Sequence, residues 1–298
     1  MDKQGNKLTI DMLNAGQRFD KFLLKYLNSA EKSLIYKLLR KKRIKLNGSK
    51  ADGNELLNDG DIITFYIAPE TLASLYDQPV GANCACPLLA SQIIYEDTDM
   101  LIVNKPVGLL THSETANDTD TLIDRVITYL HIKGDYTPGQ GVFTPVCCNR
   151  LDRNTSGIVA CAKNLPMAQK LNAAFKERET VKIYTAVVCG MVKDNLTISN
   201  HIDDKDALTE ISPIWYSEHK GETFTVVKVR LHTGRKHQIR IHLQSVNHPI
   251  IGDPRYGNAH LNKHFGVKYQ LLHASELTVL GMTFKSDLPK EWNKWVNF

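Results

Sequence analysis

The sequence predicts mixed helices and strands in two parts: a small N-terminal domain over residues 1–67, a linker over 68–91 and a larger domain over 92–298. Three observations carry this reading. Apolar residues between Arg18 and Leu39 recur every three or four positions, the spacing of one helical face. Pro69, Pro79, Gly81 and Pro87 then interrupt any long element. From Gln92 onward, strand-like runs alternate with helix-period segments.

Within the N-terminal domain, Phe19, Phe22, Leu23 and Tyr26 place a first helix at about Arg18–Leu27. A second follows, with Ser29 as its cap and Leu34, Ile35, Leu38 and Leu39 on its apolar face. Its other face is basic: Lys37, Arg40, Lys41, Lys42, Arg43 and Lys45 have no acid among them. Such a run is often only a solvated face. Like charges packed this closely also repel, and a polyanion is their natural compensation. Ile44–Leu46 reads as a strand ending in Asn47-Gly48, a pair favoured in tight hairpin turns. Asn58-Asp59-Gly60-Asp61 is a further turn, and Ile62–Ile67 a strand by its β-branched and aromatic content.

Composition narrows the function classes. A chain of 298 residues, 42% hydrophobic and 23% charged, is long enough for sizeable cores and ordinary for a globular protein. No apolar run approaches the roughly 20 residues of a membrane span, and the first residues lead into no signal-peptide core, so the expected location is cytoplasmic. The net charge of +5 is a mild bias toward polyanions, informative mainly through where it concentrates. Cys84, Cys86, Cys147, Cys148, Cys161 and Cys189 form no C-x-x-C pair, which points to free thiols rather than a disulfide frame or zinc site.

In the larger domain, Ile93–Tyr95 and Met100–Val103 read as strands joined by the acidic turn Glu96–Asp99. Thr121 and Asp124 have capping-box-like spacing for a helix reaching about Ile132, and residues 133–144 form a loop rich in breakers. Ile158–Ala162 is a strand. Pro166 suits a helix first turn, with Met167, Leu171 and Phe175 at four-residue spacing. Lys182–Val188 alternates as a strand that puts Tyr184 on the face of Lys182 and Ala186, and Thr223–Leu231 is another.

Two stretches hold the dense polar chemistry. In Asn149-Arg150-Leu151-Asp152-Arg153-Asn154-Thr155-Ser156-Gly157, Asp152 stands between two arginines, and flanking cations favour the ionised form of an acid. An Arg–Asp pair pinning a surface turn would use the same residues. In Leu231–Leu243, a glycine turn leads into a helix-like run with Ile239, Leu243 and Val246 toward the core and Arg235, Gln238 and His242 on a neighbouring face. His232, His237 and His242 are five residues apart, so no two share a helical face; structural or RNA-contacting histidines fit better than zinc ligands.

The ordered set "YEDTDMLIVNKPVGLLTH", "NRLDRNTSGIVACAKN", "KIYTAVVCG", "LHTGRKHQIRIHL", "HPIIGDPRYG" and "LLHASEL" closely resembles the RluA family of pseudouridine synthases over about residues 92–285. Residues 16–67 resemble the αL RNA-binding module of a small-subunit ribosomal protein. One departure stands out: Asn149 occupies a position where the family usually has His, and Asn can replace a neutral His as a donor but not as a titrating group.

The resemblance implies an α+β catalytic domain with a mainly antiparallel mixed sheet and a central cleft, preceded by the αL domain. It implies isomerisation of uridine to pseudouridine without cofactor or metal, with Asp152 as nucleophile or as partner to a cationic sugar. By the same resemblance Arg235 pairs with Asp152, while Tyr184 lies against the base and helps to remove the proton from carbon. Arg150 fills the space left by the flipped base, with Asn149, Arg153 and Ile239 around the substrate and Arg40, Lys41, Lys42 and Arg43 on RNA phosphates. The expected partner is structured RNA, ribosomal first and transfer RNA second, bound by a monomer. A nucleoside hydrolase would call for a second carboxylate, which the motifs do not offer. A non-catalytic RNA-binding or assembly factor would use the basic module but has no need of Asp152, Tyr184 and Arg235 together.

Overall fold

The computed structural model describes residues 2–4, 6–10, 14–27, 30–68, 71–72, 75, 86–115, 118, 120–137 and 143–295. They fall into two compact units. The first comprises residues 1–87, 124–145 and 163–166, and the second the remainder.

In the first unit, strands β1 (Asp2–Gln4) and β2 (Lys7–Thr9) precede helices α1 (Phe19–Tyr26) and α2 (Lys32–Arg40), then β3 (Ile44–Leu46), β4 (Ser49–Lys50) and β5 (Ile62–Phe65). The sheet runs β1-β2-β5-β3-β4, all antiparallel. The β3–β4 turn is the Asn-Gly hairpin expected: Asn47 and Gly48 both have positive φ, as a tight twisted hairpin requires. Phe19, Phe22, Leu23, Ile35 and Leu39 bury the apolar faces of both helices against Ile44, Ile63 and Phe65. Asp20, buried in the first turn of α1, accepts from Arg18 (3.1 and 2.9 Å), from the Tyr36 hydroxyl on α2 (2.6 Å) and from the Lys21 N–H (2.8 Å), so it ties the two helices together. Glu31 occupies the cap position of α2 without a side-chain hydrogen bond; Ser29, expected there, lies outside the described residues. Most of the 68–91 linker likewise lies outside them. Lys37, Arg40, Lys41, Lys42 and Arg43 are exposed.

The remaining elements are β6 (Ile93–Glu96), β7 (Met100–Lys105), α3 (Leu122–Lys133), β8 (Val146–Cys147), β9 (Ser156–Ala162), α4 (Leu165–Lys176), β10 (Val181–Cys189), β11 (Leu196–Ile198), β12 (Thr209–His219), β13 (Glu222–Leu231), α5 (Gln238–Ser245), α6 (Ala259–Phe265), β14 (Leu272–Val279) and β15 (Met282–Lys285). The second unit is built on a ten-stranded mixed sheet in the order β11-β12-β13-β10-β14-β9-β7-β6, with β15 on β14 and β8 on β9. Among the described strands every pairing is antiparallel except β9 with β14, which meet in parallel only at Ser156–His273 and Gly157–Ala274. Gly157 makes that meeting possible. Its φ is +113°, and a Cβ there would lie 2.3 Å from the Ala274 carbonyl oxygen.

The sheet's interior strands are apolar on both faces; all seven residues of β9 are buried. β12 was not among the strands expected from the sequence, and Pro213 lies within it. The proline sits where the register with β13 shifts, the one kind of interior position a strand proline tolerates. Cys147, Cys161 and Cys189 are buried thiols as expected, Cys86 is exposed and Cys84 lies outside the described residues. Among the described residues no helix is long and apolar enough to cross a membrane.

Candidate active site

The turn carrying Asp152 enters β9 from the end of the sheet where the parallel pair lies. It is fixed from behind by backbone satisfaction. The Thr111 hydroxyl accepts from the Leu151 N–H at 3.1 Å and donates to the Leu151 carbonyl at 3.0 Å. Lys105 is fully buried, and its ammonium donates to the carbonyls of Pro106, Leu109 and Arg153 at 3.1, 2.7 and 3.1 Å. Burial pushes its pKa down to about 7, opposed by the Asp152 charge. The Thr155 N–H closes the turn on the Asp152 carbonyl at 3.0 Å.

The side chain of Asp152 faces a cavity of about 290 Å³ whose wall includes Arg150, Tyr184, Arg235, His237, Ile239 and Arg240. Its cation is Arg240, on α5: Nη1 donates to Oδ2 at 2.9 Å. The other edge of the same guanidinium grips Asp253, with Nε at 2.6 Å and Nη2 at 2.9 Å from the two carboxylate oxygens. The Arg255 and Tyr256 N–H groups add bonds of 2.9 Å each to Asp253 Oδ1. Burial alone would raise the Asp253 pKa; the Arg240 fork and the Tyr256 and Arg255 N–H groups outweigh it and hold the acid below its ordinary value. Tyr256 lies under the guanidiniums of Arg240 and Arg255, 5.0 and 5.3 Å from its ring centre. Arg240 is thus a buried, pre-aimed cation whose second acid holds it in place.

His237 stands beside this pair. Its Nε2 is 3.9 Å from Asp152 Oδ2 and its Nδ1 is 3.1 Å from the Tyr256 hydroxyl. Burial lowers its pKa, against the pull of Asp152. It caps α5 in the left-handed region, φ +56°. Gln238, buried, accepts from the Thr233 hydroxyl and the Arg235 N–H and donates to the Leu208 carbonyl and Thr209, which fixes the turn preceding α5.

Several expectations are revised by this geometry. Arg235 does not pair with Asp152; it lies three residues before α5, and its Nε donates to the Asp206 carbonyl at 3.0 Å. The arginines flanking Asp152 in sequence do not pair with it either. Arg150 reaches Glu114 at 3.0 Å and Arg153 reaches Asp118 at 3.4 Å, and both arginines are exposed. Tyr184 is buried on β10 and lines the cavity, but burial, and then the Asp152 charge, push its phenol well above the ordinary value. His242 is buried, with Nδ1 2.9 Å from the Thr209 hydroxyl, and His232 approaches Glu210. Among the described residues no group of three His, Cys, Asp or Glu side chains could hold a metal ion.

Asn149 has a defined task. Its Oδ1 accepts from the Ala160 N–H at 2.8 Å and its Nδ2 donates to the Ile158 carbonyl at 3.3 Å. The side-chain amide thereby continues the β8–β9 ladder for one more step and releases the backbone into the Asp152 turn.

Residues 99–245, which supply Asp152, Tyr184 and Arg240, match the family model for RNA pseudouridylate synthases. An RNA pseudouridine synthase of Aquifex aeolicus is 32% identical over 257 residues, 81% of this chain and 77% of its own length. A ribosomal large subunit pseudouridine synthase C of Rickettsia typhi is 30% identical over 279 residues, 87% of this chain and 88% of its own. The fold is also that of the human RNA pseudouridylate synthase domain containing 4: TM-score 0.55 at 21% identity, over 68% of this chain and 91% of that one. Fold and sequence together place the molecule among the RNA-modifying isomerases. The chain belongs to the RluA-type family of RNA pseudouridine synthases.

Proposed function

We propose that the chain converts uridine to pseudouridine in large-subunit ribosomal RNA in the cytoplasm, with Asp152 as the nucleophile and residues 16–67 serving as an αL-type RNA-binding module. The observation that carries the catalytic assignment is the ionic bond of 2.9 Å between Asp152 and Arg240 inside the cleft. It supplies one carboxylate, held and aimed by a cation, next to a space large enough for a base. The target comes from the name of the Rickettsia typhi relative.

In this reading the uridine is flipped out of the RNA into the cavity, and Arg150, on the rim, fills its place. Asp152 attacks C1′ of the ribose as the bond to N1 of uracil breaks, or stabilises the cationic sugar that results. Uracil turns against the Tyr184 ring, and C5 bonds to C1′ while Asp152 is released. The proton on C5 is then lost and N1 ends protonated, so the change is a net isomerisation. Tyr184 and the freed Asp152 carboxylate both line the cavity and are the groups in reach of that proton.

The test uses RNA transcripts carrying tritium at C5 of uridine, which is released to water when pseudouridine forms. The parent protein releases tritium from large-subunit ribosomal RNA, and Asp152→Asn, nearly unchanged in volume, binds the RNA but releases almost none. Equal release by variant and parent would remove Asp152 from the mechanism. Release from transfer RNA alone would replace the proposed substrate.

A further inference from the structure

Beside the catalytic cavity runs a second groove of about 360 Å³, sharing with it the wall of Arg150, Tyr184, Leu231, Gly234 and Arg235. Its far side carries Lys176, Arg178 and Lys182, and among the described residues no acidic side chain lines it. Arg150 and Arg235 already have partners, Glu114 and the Asp206 carbonyl. Lys176, Arg178 and Lys182 make no side-chain hydrogen bond or ion pair among the described residues. Lys182 is also half-buried, and burial followed by the nearby Arg178 charge lowers its pKa. Unpaired cations gathered around a recess are an arrangement that folding alone does not favour.

Arg178 adds an independent sign. Helix α4 ends in a Schellman motif: the Glu179 N–H donates to the Ala174 carbonyl at 2.9 Å and Arg178 occupies the left-handed position at φ +62°. That position belongs to glycine, because a Cβ is strained there. The chain places an arginine in it, at the mouth of the groove. Lys182 is two residues before Tyr184 on β10, so both side chains leave the same face of the strand, roughly 7 Å apart.

We infer that this groove is a phosphate-binding track for the RNA strand adjoining the flipped uridine, with Lys182 and Arg178 as its principal contacts and Lys176 at its outer end. The inference rests on the proposed RNA substrate and extends it: the catalytic unit carries its own grip on the backbone, separate from the basic face of α2. Charge selects the ligand class, since among the described residues five cations and no carboxylate line the groove. Phe175 and Leu231 provide an apolar floor for the sugar edge of the strand.

The experiment compares the full chain with Lys182→Gln, Arg178→Gly and the double variant. Binding of an unmodified large-subunit ribosomal RNA transcript is measured at several salt concentrations, beside single-turnover tritium release and the thermal midpoint. The double variant is expected to bind about tenfold more weakly, with the slope of log affinity against log salt flatter by about 1.4, two single-strand contacts' worth. Turnover at saturating RNA falls far less than affinity. Arg178→Gly relieves the left-handed strain, so its thermal midpoint is not lowered, which separates lost contact from lost fold. Unchanged affinity and slope, or weaker binding with an unchanged slope, would overturn the phosphate track. Absence of tritium release by the parent counts against the enzyme reading alone, because the salt dependence of binding still decides the groove.

Discussion

Asp253→Asn tests whether the acid behind Arg240 sets the geometry of the acid in front of it. In the parent, Asp253 Oδ1 accepts from Arg240 Nη2 and from the Arg255 and Tyr256 N–H groups, while Oδ2 accepts from Arg240 Nε. Asparagine can keep the first set through its carbonyl oxygen. Its NH₂ then faces the Nε–H, donor against donor, and one charge-assisted bond is lost, about 1.5–3 kcal/mol. Removing one partner of a buried pair costs about 3–5 kcal/mol when the other charge is left alone. Arg240 still has Asp152, so about 3 kcal/mol is the reasoned loss, or roughly 6–12 °C in thermal midpoint for a unit of this size. The guanidinium is then free to follow Asp152, and a displacement of about 1 Å at a reacting group costs roughly a hundredfold in turnover. The assays are thermal unfolding and single-turnover tritium release. Acid titration of stability adds a signed readout. The Asp253 pKa is depressed in the fold, so its contribution is present above the unfolded value of about 4 and is lost as pH falls through the folded value. The variant should therefore lose stability less steeply below about pH 4. Parental midpoint and parental turnover in Asp253→Asn would refute the idea that Asp253 holds Arg240.

Asn149→His should retain activity with a similar pH profile and lose about 1 kcal/mol of stability, since an imidazole can make one of the two backbone bonds but not both in place; a large gain in rate would show that Asn149 impairs the enzyme. Gly157→Ala should destabilise by about 2–5 kcal/mol, combining overpacking against Ala274 with left-handed strain; an unchanged denaturation midpoint would contradict the close approach of β9 and β14. Replacing Arg40, Lys41 and Arg43 with Gln should weaken RNA binding and flatten its salt slope by about 2, with turnover at saturating RNA reduced much less; an unchanged slope means a merely solvated face.

Local chemistry was legible where it is decided locally. Asn47-Gly48 announces its hairpin, the Phe19–Tyr26 spacing its helix, and the β-branched run of β9 its strand. Strands whose identity depends on neighbours were harder. β12 contains a proline that only its bulge against β13 accommodates, and β1 and β2 are short and polar. At the site, the motifs pointed to Asp152 and Tyr184, which line one cavity, but the choice between Arg235 and Arg240 as the cation beside Asp152 was not legible. Both stand in one basic stretch, and what distinguishes them is a carboxylate thirteen residues after Arg240. Asp253 lies in a turn-rich loop that looks unremarkable until its burial shows that it must have a cation. A lone acid between Gly252 and Pro254 was the available signal, and it points to a partner without naming it.

The parallel seam between β9 and β14 divides the residues that line the cleft. On one side of it lie β6 to β9 and the turn bearing Asp152; on the other lie β10 to β15, with Tyr184 on β10 and Arg240 on the α5 connection. Only two residue pairs join the halves there. Asp152 and Arg240 thus meet across this seam, each carried by an element on a different side of it, and their 2.9 Å bond ties the two sides together beyond the backbone ladder.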